Sequence, residues 1–191
     1  MITNLEQTGE EKRYVLGMEE SYGYLSGTHA RDKDAVVASA LICEMAAFYK
    51  KQGKTLVDVM NDLYKEHGMY LNTLLNFGFE GAEGMEKMNG MMMSLRENTP
   101  KTIGEFNVVR VLDYKTSRST EVETGIMKQI SLPKSNVLEY HLSSDNSVIV
   151  RPSGTEPKIK IYITARADNR KNAEKLTKKL TTDIEKILEI G

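Results

Sequence analysis

Apolar residues recur along the chain with two different periods, and the change of period divides it. From the helix-capping Asp32, a segment over residues 33–50 carries Val36, Val37, Ala40, Leu41, Met45 and Phe48 at helical spacing. These positions spread over much of the circumference, which predicts a largely buried helix. Gly53 ends it. Thr55 followed by Asp58 has the form of a capping box and opens a second helix with Leu56, Val59, Met60, Leu63 and Tyr64, closed by His67 and Gly68. Upstream, residues 13–17 read as a short strand and residues 21–28 as a loop on its end.

After Met69 the pattern changes. Residues 70–79 read as extended, and 81–96 as a helix whose methionines, Met85, Met88 and the run Met91-Met92-Met93, suit adaptable core packing. Phe106–Asp113 alternates as a strand does, residues 115–135 are polar and aperiodic and read as a long loop, and 137–142 and 148–151 read as short strands. Ser144-Asp145-Asn146 between those two tolerates tight-turn angles and predicts a hairpin. In residues 158–165, Ile159, Ile161 and Ile163 share one face and Lys158, Lys160 and Tyr162 the other. A final helix over 169–190 places Ala173, Leu176, Leu180, Ile184, Ile187 and Leu188 on one stripe able to cover the isoleucine face. The second half is therefore expected to be α+β, and the boundary is placed between residues 67 and 68.

Composition removes several functions. With 26 basic and 27 acidic residues the formal net charge is −1, so the broad electropositive field of a nucleic-acid-binding surface is not expected. The single cysteine, Cys43, rules out a disulfide framework or a cysteine metal site, and a reducing cytoplasm fits. No uninterrupted apolar run is long enough to span a membrane, and the start shows no targeting signal. By Tyr14 the chain already reads as a strand entering a Gly-rich loop, so the expectation is a piece of a longer protein.

The densest chemistry lies in Arg151-Pro152-Ser153-Gly154-Thr155-Glu156-Pro157, between two strands. Arg151 offers a planar fork of charged donors that matches phosphate oxygens, Ser153 and Thr155 add short hydroxyls, and Gly154 lets the backbone amides approach an anion. Pro152 and Pro157 stiffen both ends. A plain connection with water-facing polar residues is the ordinary reading of such a loop, but the density of donors favours an oxyanion grip. The spacing of a Walker-type loop is absent. Near the start, Glu19-Glu20-Ser21 at a strand end supplies carboxylates and a hydroxyl suited to sugar hydroxyls, and His29, Arg31 and Lys33 interleave with Asp32 and Asp34. That second stretch reads equally as a solvated helix start, where acids suit the helix dipole.

Taken together, the stretch from Gly17 to Tyr24, Thr28-His29-Ala30-Arg31-Asp32-Lys33-Asp34 and the Arg151–Pro157 motif resemble the α-D-phosphohexomutases of the phosphoglucomutase and phosphomannomutase type. The resemblance covers essentially the whole chain. It implies four domains around one cleft, a phosphoserine in the first that passes its group to a sugar phosphate, a bisphosphate intermediate that reorients, and Mg²⁺ held in an Asp-rich loop of the second. By position, Glu19 and Ser21 would select the sugar as part of the third domain, and Arg151, Ser153, Gly154 and Thr155 would bind phosphate as part of the fourth. Lys33 would contact substrate and His29 lies in the same stretch, both as auxiliary candidates. Tyr22-Gly23-Tyr24 precedes His29 where some members carry a histidine early, so the general acid or base is unassigned. Neither a Ser-His-Asn-Pro nucleophile loop nor an Asp-x-Asp-x-Asp metal loop occurs in the sequence.

The expected fold is thus an α/β portion of the third domain (1–67) followed by an α+β fourth domain (68–191), a mainly antiparallel sheet covered by helices that the resemblance implies is TBP-like. The expected function is that of a C-terminal part of a hexose 1-phosphate/hexose 6-phosphate mutase, inactive alone. Its cofactors would be Mg²⁺, bound by another domain, and glucose 1,6-bisphosphate. Its partners would be a phosphorylated hexose and the N-terminal domains of the same chain, with no nucleic acid and no membrane. A phosphomannomutase, a phosphopentomutase and a non-catalytic phosphosugar-binding module are the alternatives.

Overall fold

The computed structural model of the chain describes residues 2–18, 23–154 and 156–190. The chain forms two compact units, Met1–Leu63 and Tyr64–Gly191.

The first unit opens with a helix that the sequence pattern does not announce, α1 (Ile2–Gln7), and a 3-10 turn at Glu11–Arg13. Because Arg13 is wound into that turn, its amide bonded to the Glu10 carbonyl at 2.9 Å, the first strand starts later than expected. It is β1 (Leu16–Met18), and it pairs antiparallel with β2 (Tyr24–Ser26), which occupies part of the expected loop. Tyr14 Oη donates to the Leu25 carbonyl and Ser26 Oγ to the Val15 carbonyl, at 3.3 and 3.2 Å, tying the two ends together.

The next helix, α2 (Ala35–Lys50), is capped by Asp34, not Asp32. Asp34 Oδ1 accepts from the amides of Val36 and Val37 at 2.8 and 3.1 Å, satisfying donors that a helix start leaves open, whereas Asp32 turns its carboxylate to Lys33. The expected burial of α2 is also corrected: Ala38 alone is buried, and Val36 and Phe48 remain 79% and 60% exposed. Its main contact in the unit is the three-residue β2, too narrow to cover apolar positions that run around the helix. The capping box at the start of α3 (Leu56–His67) forms as read. Asp58 Oδ2 accepts from the Thr55 amide at 2.8 Å and its hydroxyl at 2.6 Å, and Thr55 Oγ1 accepts from the Asp58 amide at 3.2 Å. Gly68, with φ +92°, closes α3, and the division between units falls inside that helix.

The second unit is an antiparallel sheet with two helices on one face. Its elements are β3 (Met69–Gly78), α4 (Gly81–Glu97), β4 (Thr102–Ile103), β5 (Phe106–Asp113), β6 (Arg118–Glu121), β7 (Met127–Gln129), β8 (Leu138–Leu142), β9 (Ser147–Pro152), β10 (Lys158–Ala167) and α5 (Arg170–Ile187). The strand order is β3-β10-β9-β8-β5-β6-β7, with β4 paired to β5. The long loop expected at residues 115–135 instead contains the hairpin β6–β7. Both strands are short and largely polar, and the hairpin ends the sheet with β7 at its edge, so neither face demands the apolar alternation that marks a half-buried strand.

The period-2 pattern of β10 decides where the core lies. Ile159, Ile161 and Ile163 are fully buried beside Val148, Val150, Leu138 and Tyr140 of the neighbouring strands, and are covered by Met88, Met92 and Leu95 from α4, Leu180 and Ile184 from α5, and Leu188 just past its end. Arg96 fastens the end of α4 to the sheet, its Nε 3.2 Å from Asp113 and its guanidinium donating to Asn136 at 2.7 Å. The β8–β9 turn places Ser144 and Asp145 at φ 61° and 58°. The buried Asn146 stabilises it, donating to the Ser143 and Ser144 carbonyls and accepting from the Arg166 amide at 2.8 Å.

Candidate functional site

The alternation that buries Val148, Val150 and Pro152 puts Arg151 on the open face of the sheet, and the β9–β10 register sets Lys160 directly opposite it. Directly opposed residues in an antiparallel pair have β-carbons about 5 Å apart, so the two cations face the same small volume. Among the described residues no carboxylate pairs with either. Two facing, uncompensated positive groups are an unfavourable arrangement without an anion between them.

The connection from β9 to β10 is stiffened from within. The Ser153 amide donates to the Lys158 carbonyl at 2.8 Å, the Lys158 amide to the Glu156 carbonyl at 2.7 Å, and the Glu156 amide to Ser153 Oγ at 3.3 Å. Phe79, just past β3, donates its amide to the Pro157 carbonyl at 2.7 Å and so fixes the outer side. Glu156 takes the Lys158 ammonium at 3.1 Å, which removes that carboxylate from competition for Arg151. At Gly154 an added β-carbon would meet nothing within 4 Å, so the turn leaves open room beside it. Thr155 lies outside the described residues.

In the first unit, Glu19 and Ser21 also lie outside the described residues. The stretch after them is described, and its charges are paired. His29 Nε2 lies 2.9 Å from Asp34 Oδ2, and this hydrogen bond, with those from the Val37 and Val36 amides, holds the Asp34 carboxyl below the usual aspartate range. Lys33 Nζ lies 2.7 Å from Asp32, whose carboxyl is likewise lowered, first by that hydrogen bond. Arg31 bonds the Thr28 carbonyl and Glu6. A cavity of about 460 Å³ is lined by Tyr14, Gly17, Met18, Arg31, Asp32 and Lys33, among others, and so gathers the residues that lead into and follow residues 19–22.

Sequence reading passed over two features of the open sheet face. Lys160 was visible as an outward position of β10, but only the register makes it the neighbour of Arg151. The second is a cluster in which Glu139 accepts from Tyr114 Oη at 2.7 Å and meets His141 Nε2 at 2.9 Å. Burial first, then the bond to Glu139, pushes the Tyr114 phenol up to about 12. Among the described residues no group of three His, Cys, Asp or Glu is gathered to hold a metal ion, and the two acids of the 28–34 stretch are committed to a cap and to cations. The described residues therefore do not fit a Mg²⁺ site.

Known proteins resemble this chain in sequence and in fold. The phosphoglucomutase/phosphomannomutase alpha/beta/alpha domain III model matches residues 3–67, and the C-terminal domain model of the same family matches residues 109–181, which include Arg151, the turn and Lys160. The chain belongs to the phosphoglucomutase/phosphomannomutase family. Relatives include the phosphoglucomutases of Staphylococcus haemolyticus, 36% identical over 165 residues, and of Staphylococcus aureus strain USA300, 38% identical over 165 residues. Each alignment takes in 86% of this chain and 30% of the relative, so the chain spans about 30% of the length of the curated relatives it matches. Among solved structures, the open form of the Paramecium phosphoglucomutase pp63/parafusin aligns with a TM-score of 0.61 at 18% identity, over 98% of this chain and 32% of that one. At that identity the likeness concerns the fold: an α/β part followed by an antiparallel sheet with helices.

Proposed function

We propose that the chain is the sugar-selecting and phosphate-gripping part of a mutase that interconverts hexose 1-phosphate and hexose 6-phosphate, with glucose as the hexose. The observation that carries this reading is the pair of uncompensated cations, Arg151 and Lys160, set opposite each other beside a stiff turn with open room at Gly154. A phosphate between them accepts a two-pronged bond from the guanidinium and a charge from the ammonium, while Ser153 and Thr155 supply short polar contacts. Glu19 and Ser21 select the sugar by its hydroxyls, and Lys33, which lines the cavity of the first unit, and His29 assist as auxiliary groups. The grip holds the phosphate that is not being transferred and so positions the sugar for reaction at its other end.

The chemistry itself is assigned to the part of the protein that this chain does not span. In the intact enzyme that part carries the phosphoserine and the Mg²⁺, with glucose 1,6-bisphosphate as intermediate, and it meets the first unit along the apolar residues exposed on α2. The third-domain portion runs to residue 67 and the fourth-domain portion begins at residue 68. Among the described residues no helix is long and apolar enough to cross a membrane, and we place the enzyme in the cytoplasm on its single cysteine, Cys43, which is exposed.

The test is an amide-resolved NMR titration of the chain with glucose 1,6-bisphosphate, with free glucose as control. Saturable shifts at Ser153, Gly154 and Lys160 with the bisphosphate alone are expected, and Arg151→Ala should weaken binding by about 10- to 100-fold, the scale of a charge-assisted bidentate contact. Unchanged binding by Arg151→Ala, with the same sites shifting, would remove the assignment.

A further inference from the structure

The two edges of the sheet in the second unit differ sharply. At one edge, β7 is three residues long, Met127-Lys128-Gln129, and wholly exposed. Shortness and a lysine are common protections against pairing with another chain. At the other edge, β3 runs for ten residues, Met69-Tyr70-Leu71-Asn72-Thr73-Leu74-Leu75-Asn76-Phe77-Gly78, without one charge or proline. Its pairing with β10 is continuous, Met69 opposite Ala167 through Gly78 opposite Lys158, with no bulge to twist it away. No strand pairs with its outer side among the described residues, and within this unit the helices pack on the sheet's face: α4 against β9 and β10, α5 against β10, β3 and β4. A long, flat, uncharged edge is a template for strand addition.

The sequence of this edge also says what fits it. About Leu74 its open face is a palindrome, with Asn72 and Asn76 flanking Leu74, while Thr73 and Leu75 lie on the core face. A second copy laid antiparallel about a two-fold axis at Leu74 sets Asn72 against the partner's Asn76, Leu74 against its own copy, Thr73 against the partner's Leu75 and Leu71 against the partner's Phe77. On the open face each asparagine meets an asparagine and leucine meets leucine, and no charges oppose each other on either face. Asn72 Oδ1 already accepts the Thr164 hydroxyl at 2.8 Å, so its amide nitrogen is left to donate, and the Asn76 side chain has no partner among the described residues. Leu74, 42% exposed, would lose water on pairing. We infer that β3 is a self-pairing edge, through which two copies of this chain join their sheets antiparallel about Leu74.

The test is sedimentation of the full chain over a concentration series, beside Leu74→Lys. A concentration-dependent dimer is expected for the parent. Leu74→Lys, which sets like charges together on the axis and leaves the core face untouched, should weaken it by about 10-fold or more. In a Cys43→Ser background, Leu74→Cys should form a disulfide-linked dimer under mild oxidation, and Met127→Cys on the opposite edge should not. A parent that sediments as a monomer throughout, or a dimer that Leu74→Lys leaves unchanged while Leu74→Cys fails to cross-link, overturns the inference.

Discussion

The two units draw on similar residues and use them differently. In Tyr64–Gly191 the apolar residues fall on one face of each strand and one stripe of each helix, and these faces close on one another, so that Ile161, Val150, Tyr140 and Ile184 lose all contact with water. In Met1–Leu63 the apolar residues of α2 run around the helix, and only Ile2, Leu25 and Ala38 are buried among the described residues of that unit. Apolar content alone therefore does not make a core. What matters is whether the apolar positions share a direction that another element can meet. The second unit holds the turn after Pro152 between strands that such a core fixes, while the first offers its cavity on a narrow hairpin.

The largest effect that would sharpen this contrast is in the packing. Ile161→Ala removes a fully buried side chain from the middle of β10 and should cost the second unit about 2–5 kcal/mol, the range for large-to-small core changes. Phe48→Ala, at an exposed position of α2, should stay within about 0.5 kcal/mol. Denaturant unfolding followed by hydrogen exchange, resolved by unit, reads both. Equal costs would mean that α2 is packed in solution and would erase the distinction.

A smaller effect separates the helix starts. Asp34 caps α2, and Asn169 caps α5 by accepting from the Asn172 amide at 3.0 Å; Asn169→Ala should cost about 1 kcal/mol, and Asp34→Ala should likewise destabilise its helix. The spread of the damage should differ. Behind Asn169, the buried stripe of α5 holds the helix, so faster exchange should stay in its first turn. Behind Asp34, little packing holds α2, and exchange should quicken well into it. The Asp34 cap is also acid-sensitive in a defined sense. Its carboxyl is depressed below 3.8, chiefly by His29, so its contribution is complete above pH 3.8 and is lost as pH falls through the lower folded value.

How much of this was legible in the sequence follows the same division. Capping chemistry and strict periodicity are local, so the Thr55–Asp58 box, β5 and the isoleucine face of β10 could be read directly. So could membership of the phosphomutase family, because the Arg151–Pro157 motif is dense and contiguous. The choice of Asp34 over Asp32 as cap was not legible, since both types suit the role and the chain path decides. The burial of α2 was misjudged because it depends on what the helix meets. The β6–β7 hairpin was hidden because edge strands need no apolar face. Lys160 was legible as an outward lysine, but its place beside Arg151 exists only in the register of two strands.

The finest probe of the contrast is the cluster on the open face of the sheet. Tyr114, Glu139 and His141 lie at or beside the ends of two neighbouring strands, and the raised phenol of Tyr114 reports how firmly that face is held. A raised value means that the folded state keeps the proton. The associated stability is complete below the ordinary 10 and declines as pH rises from there through about 12. Following phenolate absorbance, Tyr114→Phe should remove a component titrating near 12 from the set of nine tyrosines. Because burial is the leading cause and the bond to Glu139 the second, Glu139→Gln should lower the Tyr114 value only part of the way. Titration of Tyr114 at an unperturbed 10 would mean that water reaches the open face freely, and the second unit would then be as loose on that side as the first is around α2.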